Sequence, residues 1–248
     1  MIQKYLNVAE FGLIGRNLSH SFSAEFFNSK FQKERLAHRY SNFDLPNLND
    51  VRAIFSREQV TGMNVTIPYK TEIMSHLDRL DAAALAIGAV NTIKSTPNGL
   101  EGYNTDAFGF EKSLKKHLLP HHNRALVLGT GGASKAVCFV LKSMNIDYIS
   151  VSRSPKAGQW SYVQLDAETV SSHPLIVNCT PLGTFPKVKD FPNIPYEGIG
   201  PDHLLFDLVY NPAETEFLKR GKQHGAEAVN GLEMLIFQAE KAWEIWMD

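Results

Sequence analysis

The sequence predicts an α/β fold built in two parts. Short apolar runs alternate with amphipathic helical stretches along all 248 residues, the pattern of strands covered by helices. Residues 114–123 interrupt it: they turn basic, then His-rich, and hold Pro120. That segment reads as the end of a helix and a loop into a new unit. Beyond it the order becomes strand, glycine-rich turn, helix, strand. The length suits two domains and can bury a sizeable core without disulfide or metal staples.

The elements follow from the local pattern. Residues 5–13 read as a strand. Residues 23–34 read as a helix, with Phe26, Phe27 and Phe31 spaced to share a face. A strand over 39–43, a helix over 49–56 and a strand over 62–67 ending at Pro68 come next. Asp81 caps a helix over 81–87. Strands over 89–95 and 100–103 form a hairpin, because Pro97-Asn98-Gly99 is a strong turn signal. In the second part, strands are expected over 125–128, 147–151, 175–178 and 204–208, with a helix after the glycine-rich turn reaching Met144. Pro212 suits the first turn of a helix ending near Gly225. The last stretch, 232–246, is an amphipathic helix with Leu232, Leu235, Ile236, Ala239, Trp243 and Trp246 on one stripe. By pattern alone it can pack on either half.

Composition excludes several classes. Apolar residues make 44%, charged 21% and aromatic 10%, which rules out a disordered or collagen-like chain. The 25 Lys+Arg nearly cancel the 26 Asp+Glu, so no global charge draws a nucleic acid or an anionic membrane. No apolar run approaches a bilayer span, and residues 1–5 lack the apolar stretch of a signal peptide. Two cysteines, Cys138 and Cys179, suit a reduced, cytoplasmic protein with unpaired thiols. No Cys/His spacing suggests a metal, and nothing in the sequence decides between monomer and homodimer.

Gly129-Thr130-Gly131-Gly132-Ala133-Ser134 sits after an apolar strand and before a helix. There glycines permit a tight turn and close backbone approach to a pyrophosphate, and the helix N-terminus offers unpaired N–H groups. Dinucleotide sites that take NAD carry an acid at the end of the next strand. This chain has Ser152-Arg153-Ser154-Pro155-Lys156. A guanidinium there pairs with a 2′-phosphate, which favours NADP(H); the plainer alternative is a solvated basic loop.

Polar residues also crowd three segments of the first half: Ser21-Phe22-Ser23, Asn64 through Lys70, and Asn91-Thr92 with Asn104-Thr105-Asp106. Singly, each has a plainer role: Ser23 as a helix cap, Asn64 serving strand-end backbone, Lys70 in solvent. Together with Gly88-Ala89-Val90-Asn91-Thr92, the glycine-rich turn and Asn230-Gly231-Leu232 through Gln238, they resemble shikimate dehydrogenase. The resemblance spans nearly the whole chain, in the family's order.

The resemblance implies an N-terminal α/β substrate domain (1–104, with 231–248 returning to it). It implies a Rossmann-type, doubly wound NADP-binding domain (105–230), the two facing each other across a cleft. It implies NADPH-dependent, reversible reduction of 3-dehydroshikimate to shikimate in aromatic amino-acid biosynthesis. Carried over, Ser21 and Ser23 hold the substrate carboxylate, and Asn64, Thr66, Asn91 and Asp106 bind ring hydroxyls. Lys70 and Asp106 form the catalytic pair, Tyr210 lies near the nicotinamide, and Gln238 reaches the substrate. On the last helix Gln238 falls about 110° from the centre of the apolar stripe, at its flank. Thr180, in Asn178-Cys179-Thr180-Pro181, belongs to the loop closing over the cofactor. Ala24 stands where the family usually has proline, and the second arginine of its adenine-phosphate loop is replaced at best by Lys156. Two other functions fit the same scaffold: a broader quinate/shikimate dehydrogenase, and a non-catalytic ligand sensor. Retention of Lys70 and Asp106 argues against the sensor.

Overall fold

In the computed structural model of the chain, residues 8–18, 21–57 and 60–248 are described. The first sheet begins with β1 (Glu10–Gly15), followed by α1 (Phe22–Lys33), β2 (Arg39–Asp44), α2 (Val51–Arg57) and β3 (Val60–Val65). Then come β4 (Arg79–Leu80), α3 (Ala82–Ile87), β5 (Thr92–Thr96) and β6 (Gly99–Tyr103). The strand expected over 5–13 starts later, where parallel pairing with β2 begins at Glu10↔Arg39; residues 1–7 lie outside the described residues. The sheet order is β2-β1-β3-β5-β6-β4. It is parallel across β2, β1 and β3 and antiparallel through the β5–β6 hairpin. Asp81 caps α3, accepting from the Ala84 N–H at 2.8 Å, as its sequence position predicts.

Strand alternation sends neighbouring side chains of β1 into different clusters. Ile14 packs with Met63, Val65 and Ile93. Phe11 and Leu13 pack instead with Phe27 and Phe31 of α1 and with Ala239, Ala242 and Trp246 of the last helix. The Trp246 indole donates to the Ile93 carbonyl at 2.9 Å and lies against Gly62, where any Cβ would collide with the ring. The C-terminal segment therefore completes the first unit, which comprises the chain up to Thr105 and Ala239–Asp248.

The second unit, Asp106–Gln238, holds nearly all of α4 (Thr105–Leu114), then β7 (Arg124–Leu128), α5 (Gly132–Ser143), β8 (Asp147–Ser152) and β9 (Trp160–Ser161). It continues through α6 (Ala167–Ser171), β10 (Leu175–Asn178), β11 (Leu204–Asp207), α7 (Glu216–Gln223) and β12 (Glu227–Val229) into α8 (Leu232–Met247). The sheet order is β12-β11-β10-β7-β8-β9, with all five strand pairings parallel among the described residues. Counted from β7, that is the 3-2-1-4-5-6 order of a doubly wound dinucleotide fold, whose strand order reverses between β7 and β10. The core of this unit includes Leu126, Leu128, Ile176 and Leu205 on the strands and Phe217 and Leu218 on α7.

Two expectations need correction. Pro212 does not open a helix: α7 starts at Glu216, because Thr215 is its N-cap and its hydroxyl accepts from the Leu218 N–H at 3.4 Å. The apolar stripe of α8 is also narrower than its spacing suggests. Leu232, in its first turn, is 40% exposed, whereas Ala239, Ala242 and Trp246 are buried. The strands β4 and β9, two residues each, are too short to show a period. Among the described residues no helix is long and apolar enough to cross a membrane.

Candidate active site

On the first unit the candidate site starts at the head of α1. Ser21, not Ser23, is the N-cap: its Oγ accepts from the Ala24 N–H at 3.3 Å. Ser23 sits in the first turn, beside the phenol of Tyr40. Tyr40 joins α1 to the sheet. Its backbone N–H donates to Asn28 Oδ1 and its carbonyl accepts from Asn28 Nδ2, at 3.0 and 2.9 Å. Its ring stacks on Phe27 at 4.8 Å. Burial pushes the phenol pKa well up, with the Ser23 hydroxyl opposing the rise, so Tyr40 stays protonated and donates.

That proton goes to Asn64 Oδ1 at 2.8 Å. The Asn64 amide nitrogen donates to the Asn91 carbonyl and to Thr92 Oγ1, both at 3.2 Å. A backbone carbonyl can only accept, so this contact fixes which way the amide faces. Asn91 is held in turn. Its Oδ1 accepts from the Thr105 N–H at 2.6 Å and its Nδ2 donates to Thr105 Oγ1 at 2.9 Å. Asn64 and Asn91 are 4% and 3% exposed. The structure thus gathers Ser23, Asn64 and Asn91 into one polar cluster around Tyr40, Thr92 and Thr105.

Thr66 and Lys70 follow β3. The Thr66 N–H donates to the Ile14 carbonyl at 2.8 Å. The Lys70 carbonyl accepts from the Val90 N–H at 2.7 Å. Its neighbour Tyr69 is buried, donating to the Leu45 carbonyl at 2.6 Å and accepting from Arg16 at 3.0 Å. The backbone carrying the ammonium is therefore anchored on both sides. Asp106, buried in the first turn of α4, opens the second unit. Tyr210 follows β11 there. Gln238, 6% exposed on α8, donates to the Leu235 carbonyl at 2.9 Å.

The second unit carries the glycine-rich turn at the point where strand order reverses. Gly129 has φ +102, a conformation glycine adopts without strain, and a Cβ there would stand 3.0 Å from Thr180 Cγ2. Gly131 is the N-cap of α5 with no side-chain cap, and a Cβ on it would meet open space. Gly132, Ala133 and Ser134 start the helix, and Ser134 Oγ donates to the Gly131 carbonyl at 2.7 Å. Thr130 Oγ1 lies 3.4 Å from Ser152 Oγ, which also accepts from the Ser154 N–H at 3.2 Å. Arg153, Ser154 and Lys156 are exposed. The Tyr162 phenol is pushed up to about 12 by burial, with the charge of Arg153 acting against it. An open glycine cradle on an uncapped helix start, with an exposed guanidinium after the second strand, fits a dinucleotide bearing a 2′-phosphate.

Sequence reasoning missed Tyr40, which lies in a six-residue strand and looks like core; its place in the site comes from partners distant in the chain.

A family model of the shikimate dehydrogenase substrate binding domain matches residues 13–93. The chain is 39% identical to the shikimate dehydrogenase (NADP(+)) of Methanococcus maripaludis, over 95% of this chain and 90% of that protein. It is 39% identical to the enzyme of the same name from Clostridium beijerinckii, over 96% and 92%. A crystal structure of shikimate 5-dehydrogenase from Thermus thermophilus, in complex with NADP(H) and shikimate, superposes with a TM-score of 0.85 at 31% identity, covering 96% of this chain and 93% of that one. With near-complete coverage at this identity, a matched substrate-domain model and a doubly wound sheet bearing the glycine cradle, the chain belongs to the shikimate dehydrogenase family.

Proposed function

We propose that this chain reduces 3-dehydroshikimate reversibly to shikimate with NADPH, using Lys70 and Asp106 as its catalytic pair. The observation that carries the reading is the locked pair Asn64 and Asn91, whose amides are oriented by backbone partners at a strand end. Such rigid, buried amides suit a small polyhydroxylated ligand, since their orientation is set before it arrives. With both amide hydrogens of Asn64 committed, its remaining capacity is a lone pair on Oδ1, so it accepts from a ring hydroxyl. Thr66 and Asn91 contribute further ring contacts. Ser21 and Ser23 donate to the carboxylate at the positive end of α1.

NADPH, when bound, supplies the hydride. As charge develops on the ketone oxygen, the Lys70 ammonium stabilises it and delivers the proton. Asp106 orients Lys70 and accepts from a substrate hydroxyl. Gln238 and Tyr210 complete the substrate and nicotinamide contacts. In the second unit the turn over residues 129–134 holds the pyrophosphate. Ser152, Arg153, Ser154 and Lys156 hold the 2′-phosphate, and Thr180 closes on the cofactor. We place the enzyme in the cytoplasm, with the thiols of Cys138 and Cys179 reduced.

The test is near-ultraviolet absorbance with shikimate or quinate and NADP+ or NAD+. Turnover of shikimate with NADP+ is expected. Comparable turnover of quinate would widen the substrate class, and no turnover with any pair would return the chain to a ligand sensor.

A further inference from the structure

At the carboxyl ends of β10 and β11, two fully buried polar side chains face each other. Asn178 and Asp207 are both 0% exposed. Asp207 Oδ1 accepts from Asn178 Nδ2 at 2.9 Å and from the Val209 N–H at 3.0 Å. Its Oδ2 accepts from Thr215 Oγ1 at 2.6 Å. The other end of the Asn178 amide is also committed: Oδ1 accepts from the Thr180 N–H at 3.0 Å and from Thr180 Oγ1 at 2.7 Å. Thr180 in turn packs its methyl against the Gly129 bend. One carboxylate therefore ties together the turn after β10, the chain leaving β11 and the cap of α7.

A buried carboxylate is costly unless each lone pair is used, and an apolar residue would serve a plain core better. Of its three donors here, Asn178 ends β10, beside the reversal of strand order, while Val209 and Thr215 belong to the chain that leaves β11. Burial pushes the Cys179 thiol and the Tyr196 phenol upward, and the charge of Asp207 adds to both shifts. Arg220 lies over the Phe191 and Tyr196 rings, at 3.8 and 5.5 Å, and its charge opposes the rise at Tyr196.

We propose that Asp207 is a positioning residue for the dinucleotide: acting through Asn178, it fixes the Thr180 turn against the Gly129 bend of the phosphate loop. This rests on the reading of the second unit as the cofactor half. Asp207 itself does not touch the ligand. Its ionised form orients Asn178 by a charge-assisted bond, which a neutral group does more weakly.

Titration of the whole protein with NADPH, followed by fluorescence, tests this with Asp207→Asn and Asn178→Ala. Each is expected to weaken NADPH binding roughly tenfold, the size of one such bond, while shikimate KM at saturating NADP+ moves less than about twofold. Because Asp207 acts through Asn178, the double variant should lose no more than either single one. The wild-type advantage over Asp207→Asn should narrow from pH 8 to pH 5, since the titration of the ligand phosphate is common to both. Unchanged NADPH affinity, additive losses, or an equal loss for shikimate would each overturn the proposal. If Asp207→Asn does not fold, Asn178→Ala alone carries the test: NADPH affinity should fall roughly tenfold with shikimate KM nearly unchanged, and unchanged NADPH affinity or an equal loss for shikimate overturns the proposal. Wild-type protein that binds no NADPH would overturn the reading of the site as well; wild-type binding with an unaffected variant overturns this proposal alone.

Discussion

The Tyr40 hydroxyl donates to Asn64 Oδ1 at 2.8 Å, and this bond decides what Asn64 offers a ligand. Both amide hydrogens are already spoken for, so without the phenol the amide is held along one edge only. Tyr40→Phe keeps the ring stacked on Phe27 and removes this bond together with the hydroxyl's contact to Ser23. Shikimate KM is expected to rise about fivefold, the size of a neutral bond worth about 1 kcal/mol, with a smaller change in kcat. Steady-state kinetics at saturating NADP+ measure it. An equal fall in kcat and kcat/KM would place the bond's effect in the transition state instead.

Lys70 should behave in the opposite way. Its backbone is anchored by Val90 and by buried Tyr69, so Lys70→Ala removes the ammonium without freeing the loop. The expected outcome is a kcat lower by roughly 10²–10⁴-fold, the range for a positioned acid–base group. A steep rise in KM with kcat preserved would make Lys70 a binding residue.

The contrast between these two residues shows what the sequence makes legible. Lys70 lies in a contiguous block whose neighbours name it. The glycine turn is equally local, since strand, turn and helix are consecutive and their geometry follows from glycine's freedom. Tyr40 and Asn64 stand 24 residues apart, and only the pairing of β2, β1 and β3 brings them together. Ser21 and Ser23 are two residues apart and both suit a cap; which one caps depended on where α1 began. Pro212 misled because a proline suits both a helix start and a loop, and Thr215 supplied the stronger cap.

Cofactor choice turns on Arg153. It is exposed just past the end of β8, and its charge reaches Tyr162, just past β9. Arg153→Asp removes a charge-assisted partner of the 2′-phosphate and adds a repulsive carboxylate. The NADP+/NAD+ ratio of kcat/KM is expected to fall about 10²-fold, with Lys156 softening the loss. An unchanged ratio would return Arg153 to a solvated loop.

The Asp207 carboxyl also sets a pH dependence of stability. Burial pushes it up to about 6 from 3.8, against the hydrogen bonds from Thr215, Val209 and Asn178, which pull it down. The folded state thus holds this proton more tightly than the unfolded chain. The stability this contributes is fully present below pH 3.8 and is lost as the pH rises through about 6. A shift of that size corresponds to about 3 kcal/mol. Asp207→Asn has no proton to lose, and its amide can face Thr215 Oγ1 while its oxygen still accepts from Asn178 and Val209. Urea unfolding at several pH values between 4 and 7 is expected to show the variant gaining on wild type by up to about 3 kcal/mol as the pH rises. Other titrating groups are common to both proteins and cancel in the difference. A difference that stays flat across this window would mean that the folded-state carboxyl titrates near its ordinary value. A variant that gains stability at neutral pH while losing NADPH would show that the ionised carboxylate is kept for the order it imposes on the cofactor loops, at a cost to the fold.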